Sequence, residues 1–488
     1  MGTPPATDML DSSTNMKSSN SEMSVHLESV PPSPPQETRE SFNPDDPQNW
    51  PKWRKNTQIL MVAAHSMVAT FMAAGIIPAY DAMAEEYGVS VPAATYLTSL
   101  QILFLGIAPF FWKPITNIYG RHHILIFSVL GSMVCNIGGA RCTTYGAQMA
   151  TRILTGIIIS PPIGIASGII TELSEPGERA QKLGWWTLLL TIGTPFGPFI
   201  MGFVVQHAGV QYIYWIFAIL NFIQLLGYLF FGAETMRAPE IDGYDVPKPK
   251  PSTGLLAKFL PRRIDRRPLT MRELLRPLSL ARYPRITIPA IAHSIVFSYA
   301  NIALIVEMPI AFGQKFHFNA QQIGLQFIAI IIGCFLGEQL SGPMSDWFLR
   351  TLDRRKGGHI PADRLWLSYI GFGTVFAGLL VWGFQLDKAT SWNVTPCIGA
   401  AIASFGNQIC ITILVSFAVD SYSAEASNVG VCINMFRQIW GFIAPFYLPL
   451  MFENLKLAGA AGVMCGIVAG AAMLPIIAVQ FVASRSKD

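Results

Sequence analysis

The sequence predicts an all-α integral membrane protein, with twelve transmembrane helices arranged as two six-helix bundles. Three observations carry that prediction. Hydrophobic residues make up 51% of the 488-residue chain and charged residues only 13%, whereas a soluble chain, which must wet its surface, carries about 25% charge. The apolar residues are gathered into runs long enough to cross a bilayer, for which ~20 residues are needed. The runs come in two sets of six, parted by a polar and strongly basic stretch.

Residues 1–49 are rich in Ser, Pro, Asp and Glu and are expected to form a disordered cytosolic tail. No short basic-plus-apolar signal stands there, so the first helix is expected to serve as its own insertion signal. The first bundle, 50–232, opens on Trp50, Lys52, Trp53, Arg54 and Lys55, an interfacial anchor of aromatic and cationic side chains. Its apolar runs lie at 57–80, 93–116, 123–141, 146–171, 183–207 and 212–232. A basic cytosolic linker, 233–285, follows. The second bundle, 286–483, has runs at 286–312, 321–344, 365–386, 395–419, 429–452 and 458–483, and 484–488 form a short cytosolic tail. Many glycines and prolines fall inside these runs, where Gly permits close helix packing and Pro is tolerated beside a cavity. The seven cysteines include no C-x-x-C pair and read as small buried hydrophobes.

Lysine and arginine concentrate in the cytosolic loops of membrane proteins. With the N-terminus in the cytosol, 21 of them fall on the cytosolic side, and only Arg141, Lys315, Lys388 and Lys456 on the other. Both termini are therefore expected in the cytosol. The sequon Asn393-Val394-Thr395 falls on the external side by the same reckoning, although its nearness to the membrane and the following Pro396 disfavour glycosylation.

Two linked bundles of this kind place a solute site near the bilayer midplane between the halves and work by rocking one half against the other. The partners expected are therefore a small-molecule solute and the lipid bilayer. No Walker loop, H-E-x-x-H or G-x-S-x-G lies near a polar face, which argues against ATP-driven pumping and against an enzyme. No cofactor and no metal is expected. No basic, aromatic-interleaved stretch points to nucleic acid.

Short elements fall at informative places. Between the second and third runs, Asn117 and Tyr119 precede Gly120-Arg121. The second half holds Gly342-Pro343-Met344-Ser345-Asp346; such a Gly lets a loop approach a helix closely, and such an Asp can cap a neighbouring helix N-terminus. The fourth run holds Arg152-x-x-x-Gly156. An intramembrane Arg costs ~2.5–3.5 kcal/mol on insertion scales, so it faces a polar cavity or a partner. The fifth run contains Gly193-Thr194-Pro195-Phe196-Gly197-Pro198-Phe199-Ile200-Met201-Gly202, whose small residues and prolines make a smooth, bendable face for an opposing helix.

In order and spacing these elements resemble the major facilitator superfamily. The stretch ending at Gly120-Arg121 is similar to that family's G-x-x-x-D-R/K-x-G-R-R/K signature, with Lys113 for its first Gly, Asn117 for its Asp and Ile118 for the next base. Loss of that Asp leaves open how the first half latches its cytosolic gate. Arg152 matches the Arg that the family links to proton coupling, a structural salt bridge being the other role open to it. Gly193, Gly197, Pro198 and Gly202 resemble the antiporter signature G-x-x-x-G-P-x-x-G-G, with Met201 for its first terminal Gly. The stretch 43–51 ahead of the first run, Glu234-Thr235 after the sixth and Asp420-Ser421-Tyr422 closing the tenth are similar to fungal drug:proton antiporters with twelve spans, and more faintly to a branch of polyamine and cation carriers. The resemblance implies a monomer in the plasma membrane that exports a small organic compound, toxin or drug in exchange for protons. Proton-coupled uptake of a small cation such as a polyamine, and a transporter-like nutrient sensor, are the alternatives.

Polar residues inside the runs mark the candidate site. Arg152, Glu307 and Glu338 are the candidates for handling the proton. His65, Gln101, His293, Tyr299, Asn301, Glu307, Asn407, Gln408, Asn434 and Arg437 are the candidate solute ligands, a neutral member of such a set serving more often as interhelical glue. Asn117, Gly120, Arg121, Gly193, Gly197, Pro198, Gly202, Gly342 and Asp346 are the candidate gating positions. Acids without a nearby excess of bases favour a cationic solute. Glu307, with apolar neighbours Ile305, Val306, Met308 and Pro309, is expected to face a cavity and to bind a proton or a cation, each excluding the other. A helix stopping early at Pro309 would instead leave it hydrated among the headgroups.

Overall fold

A computed structural model of the protein describes residues 46–175, 178–236, 270–356, 361–422 and 425–485. The expected disorder of residues 1–45 and the linker segment 237–269 lie outside these residues.

Each half is a succession of long helices. In the first, α1 (Lys52–Ala74) passes through a 3-10 turn into α2 (Tyr80–Tyr87). Next come α3 (Val91–Tyr119) and α4 (Arg121–Gly139). The fourth span is divided at Ser160 into α5 (Tyr145–Ile159) and α6 (Pro161–Leu173), because Pro161 and Pro162 cannot supply the N–H groups that a continuous helix would use. The half closes with α7 (Arg179–His207) and α8 (Val210–Phe231). Ser90 and Thr144 accept from the backbone N–H groups of Ala93 and Ala147 and so start α3 and α5. Gly120 (φ 86°) and Gly209 (φ 98°) turn the chain into α4 and α8 with backbone angles that a Cβ would strain.

In the second half, α10 (Pro284–Phe297) widens through a π-helical segment, Ser298–Ile302, into α11 (Ala303–Phe316). Then follow α12 (Ala320–Lys356), α13 (Leu365–Lys388), α14 (Thr395–Ser421), α15 (Ala426–Ile467) and α16 (Leu474–Arg485). Among the described residues, eleven continuous stretches are long and apolar enough to cross a membrane. The last, Ala426–Ala483, has 58 residues, about 87 Å of helix, which exceeds two crossings of a ~30 Å hydrocarbon core. It breaks at Lys456 (φ 57°, ψ 173°), giving the twelve crossings read from the sequence.

Two features differ from the sequence reading. The linker, read as a polar stretch, carries a helix, α9 (Met271–Ser279), with Met271, Leu275 and Leu278 exposed on it and Pro277 buried. α12 continues to Lys356 instead of ending near 344, its last two turns supplied with the good helix formers Leu349, Arg350, Leu352, Arg354 and Arg355, whose charged members can extend beyond the apolar layer. Gly342 therefore lies inside an unbroken helix, with open space where a Cβ would stand, and not in a loop that approaches a helix closely.

Each half has its own apolar core. Met72, Leu97, Tyr214 and Phe217 are among the side chains of the first, and Phe327, Phe372, Trp382 and Phe417 of the second. α13 and α14 approach through Gly371, Gly378, Gly399 and Gly406, where the opposing backbones leave no room for side chains. Large apolar residues such as Phe127, Ile219, Phe222, Phe230, Ile332 and Leu340 point outward. So much exposed apolar surface suits contact with lipid and not with water.

Candidate functional site

A cavity of about 260 Å³ lies between the halves. Ser167 and Thr171 of α6 and Gly184, Trp186, Thr187, Leu190 and Thr191 of α7 form one wall; His293 of α10, Thr412 and Ser416 of α14, and Gly430, Asn434 and Arg437 of α15 form the other. Its rim is at the end of the molecule where the linker attaches, beside Asp420, which pairs with Nε of Arg364 at 3.0 Å. From Ala426 at the rim to Arg437 the cavity runs ~16 Å along α15. That is about half of a ~30 Å hydrocarbon core, so the inner wall lies near mid-depth.

The opposite end is closed. Tyr96 of α3 stacks on Phe446 of α15 with ring centroids 4.9 Å apart. A Cβ on Gly202 would stand 2.5 Å from the Ala320 carbonyl oxygen, and one on Gly324 would stand 3.0 Å from that of Phe199. α7 and α12 thus meet backbone to backbone across the two halves. Gly193 and Gly197 face the other way: a Cβ on Gly197 would stand 2.5 Å from the Phe71 carbonyl oxygen of α1, in its own half, and Gly193 is closed in by Met67 and Thr70 of the same helix. Of the small residues in this motif singled out from the sequence, Gly202 is the one that meets the opposing half.

At the inner wall, an Nη of Arg437 donates to Asn434 Oδ1 at 3.1 Å, and the guanidinium lies 4.9 Å from the centre of the Phe297 ring. His293 is buried beside Phe297 with ring centroids 6.3 Å apart. Glu338 of α12 stands behind the α14 wall, accepting from Gln408 Nε2 at 2.7 Å and Thr412 Oγ1 at 2.9 Å. Its other oxygen points at Gly184 of α7, where a Cβ would collide with it. Glu338 therefore sits at the seam between the halves, next to the cavity on one side and to an outer groove lined by Trp185 and Gly342 on the other.

The remaining candidates separate by place. Glu307 lies in α11, past Pro284–Phe297 and the π segment, ~21 Å further along the span than His293. It is 5% exposed, so the helix does not stop short and leave it hydrated. Tyr299 and Asn301 fall in the π segment itself, a widening that recurs at functional sites. Gln101, Asn301 and Asn407 are fully buried, and their amide atoms have no hydrogen-bond partner among the described residues. An unmade bond of that kind costs ~1–3 kcal/mol. His65 packs in the first half, with Nδ1 3.1 Å from the Tyr228 hydroxyl, as glue between α1 and α8. Arg152 donates to the carbonyls of Leu97, Met72 and Ala73 at 3.4, 2.9 and 2.8 Å. The last two are carbonyls that α1 would have used had it not broken at its 3-10 turn, so the guanidinium caps that helix end.

The loop at Gly120 is latched by acids the sequence reading did not pair with it. Arg121 makes two bonds to Glu172, at 2.8 and 2.6 Å, and the backbone N–H groups of Arg121 and His122 both donate to Glu234 at 3.1 Å. Glu234 caps α4, a role the helix dipole favours. Asn117 is exposed, and the side chain of Asp346 is outside the described residues. Lys113 donates to Asn428 of α15, which donates to Glu425, which also accepts from Arg276 of α9. The linker helix is thus tied to both halves. Also missed were the cavity hydroxyls, although Thr187 and Thr191, and Thr412 and Ser416, each stand four residues apart on one helix face.

Comparison with known proteins agrees with this arrangement. The family model described as Major Facilitator Superfamily matches residues 62–445. An uncharacterized transporter of Schizosaccharomyces pombe is 24% identical over 88% of this chain and 89% of its own. The probable efflux pump mfs2 of Aspergillus flavus is 27% identical over 78% of this chain and 90% of its own. In three dimensions the crystal structure of the human organic anion transporter MFSD10 aligns with a TM-score of 0.60 and 14% identity, over 88% of this chain and 99% of that one. With two helical halves around a central cavity and a family model spanning most of its length, the chain belongs to the Major Facilitator Superfamily and is a multi-pass membrane transporter.

Proposed function

We propose that the protein exports a small organic compound from the cytosol across the plasma membrane in exchange for protons, acting as a monomer. The observation that carries this reading is the cavity between the halves, open at the linker end and closed at the other by Tyr96–Phe446 and Gly202–Gly324. The excess of basic residues at the linker end supports reading that end as cytosolic, so that solute would enter from inside. Fungal relatives carry efflux names, among them the pump mfs2 of Aspergillus flavus and the pump vrtL of Penicillium aethiopicum. Glu338 is the acid assigned to the proton, because parting of α7 from α12 would change the surroundings of its carboxylate. Counterflow of radiolabelled compounds in proteoliposomes, with and without a pH gradient, tests the reading; movement indifferent to the gradient would remove proton coupling.

Two further results are expected. Glu338→Gln keeps the shape and hydrogen-bonding reach of the side chain but removes the exchangeable proton. It should lose most gradient-driven transport and flatten the pH profile, while gradient-free counterflow falls less. An unchanged pH profile would assign the proton elsewhere. For orientation, Ser279→Cys in a cysteine-free background should stay unlabelled when intact cells are treated with an impermeant maleimide, and react once they are opened. Ser279 is exposed at the end of α9, so labelling from outside would invert the topology.

A further inference from the structure

We infer that the solute of this cavity is an organic anion, its acid group held by Arg437 and its apolar body lying against α7. The inference rests on reading the cavity as the solute site and names the class of solute. Arg437 is 4% exposed, reaches the cavity at mid-depth, and uses one Nη on Asn434. Its Nε has no hydrogen-bond partner, and among the described residues no carboxylate pairs with it. A buried charge without a counter-charge is among the costliest arrangements in a protein. Arg152, also deeply buried, resolves that cost internally, since it is satisfied by three backbone carbonyls. Arg437 has no such set.

The neighbours point the same way. His293, 3% exposed, also lines the cavity, and its Nδ1 is without a partner, so it can supply a second donor. The acids that would attract a cation are engaged or remote. Asp420 is paired with Arg364 at the rim, one Glu338 oxygen already accepts from Gln408 and Thr412, and Glu307 is well along the span. A cation at mid-depth would therefore meet Arg437 first. A carboxylate or sulfonate would find a planar fork of donors already braced by Asn434 and the Phe297 ring. Trp186 and Leu190 on the facing wall offer apolar contact to the rest of the molecule.

The test uses three probes with the same ring and different charge: naphthoate, naphthamide and naphthylmethylammonium. With the full chain in nanodiscs, thermal-shift titration should find naphthoate bound about 10- to 100-fold more tightly than naphthamide, the worth of one charge-assisted pair, and the ammonium weakest. Arg437→Gln should cancel the preference, and Arg437→Lys, which keeps the charge without the fork, should retain part of it. A folding failure in one variant leaves the other and the wild-type ranking to decide. Equal binding of the three, binding of none, or preference for the ammonium overturns the assignment. The export reading fails separately. Naphthoate bound with the expected preference but not moved by a pH gradient in proteoliposomes would remove export and leave the anion site. Gradient-driven movement of the ammonium would remove the anion site and leave transport.

Discussion

Replacing Gly202 by valine is expected to slow transport about tenfold or more while leaving the protein folded and its central cavity able to bind. The Cβ would stand 2.5 Å from the Ala320 carbonyl oxygen and 3.1 Å from Gly324 Cα, backbone atoms that cannot turn aside as a side chain would. Overpacking of this kind costs ~1–3 kcal/mol. Here the cost falls on the state in which this end is closed, because the contact crosses between α7 and α12. A transporter must visit both states in every cycle. Turnover should therefore fall by about tenfold or more, since each ~1.4 kcal/mol is a factor of ten. Proteoliposome transport measures the loss, and binding measured by thermal shift separates it from misfolding. The contrast is Gly342→Ala, which stands where a Cβ meets nothing within 4 Å and should transport normally. If Gly202→Val also transports normally, the close approach of the halves has no part in the cycle.

Arg152→Ala is expected to destabilise the whole first half, not to remove proton coupling alone. The guanidinium binds the Met72 and Ala73 carbonyls at the break in α1 and that of Leu97 in α3, and it is 1% exposed. Alanine would leave these acceptors facing a void. Losing several bonds to a buried charge costs on the order of 3 kcal/mol or more. Thermal unfolding of the solubilised protein should show a lower midpoint and a smaller monodisperse fraction. Arg152→Lys should recover part of the loss, because its three donors can reach some of the carbonyls but not all in one plane. A variant that melts like the wild type and fails only in its response to a pH gradient would return Arg152 to the coupling role that the family resemblance implied.

The sequence by itself determined the twelve crossings. A stretch of ~20 apolar residues has one stable solution in a bilayer, a helix that satisfies its own backbone, and this holds without reference to any neighbour. That is why the runs could be counted, although a helix such as α12 continues past its apolar run to Lys356. The sequence could also list the polar residues inside the spans, since each is costly there whatever it touches. What those residues do was decided only by packing. Arg152 and Arg437 look alike in the sequence, yet Arg152 is consumed by helix-end carbonyls while Arg437 lines a cavity and has an Nε without a hydrogen-bond partner among the described residues. Gly193, Gly197 and Gly202 form one motif, yet the first two face α1 and the third faces the other half. The partners of Arg121 are Glu172 and Glu234, 51 and 113 residues away. Such pairings depend on how the helices are rotated about their axes and which of them meet, and a helix's rotation is set by contacts between distant parts of the chain, which no local spacing encodes.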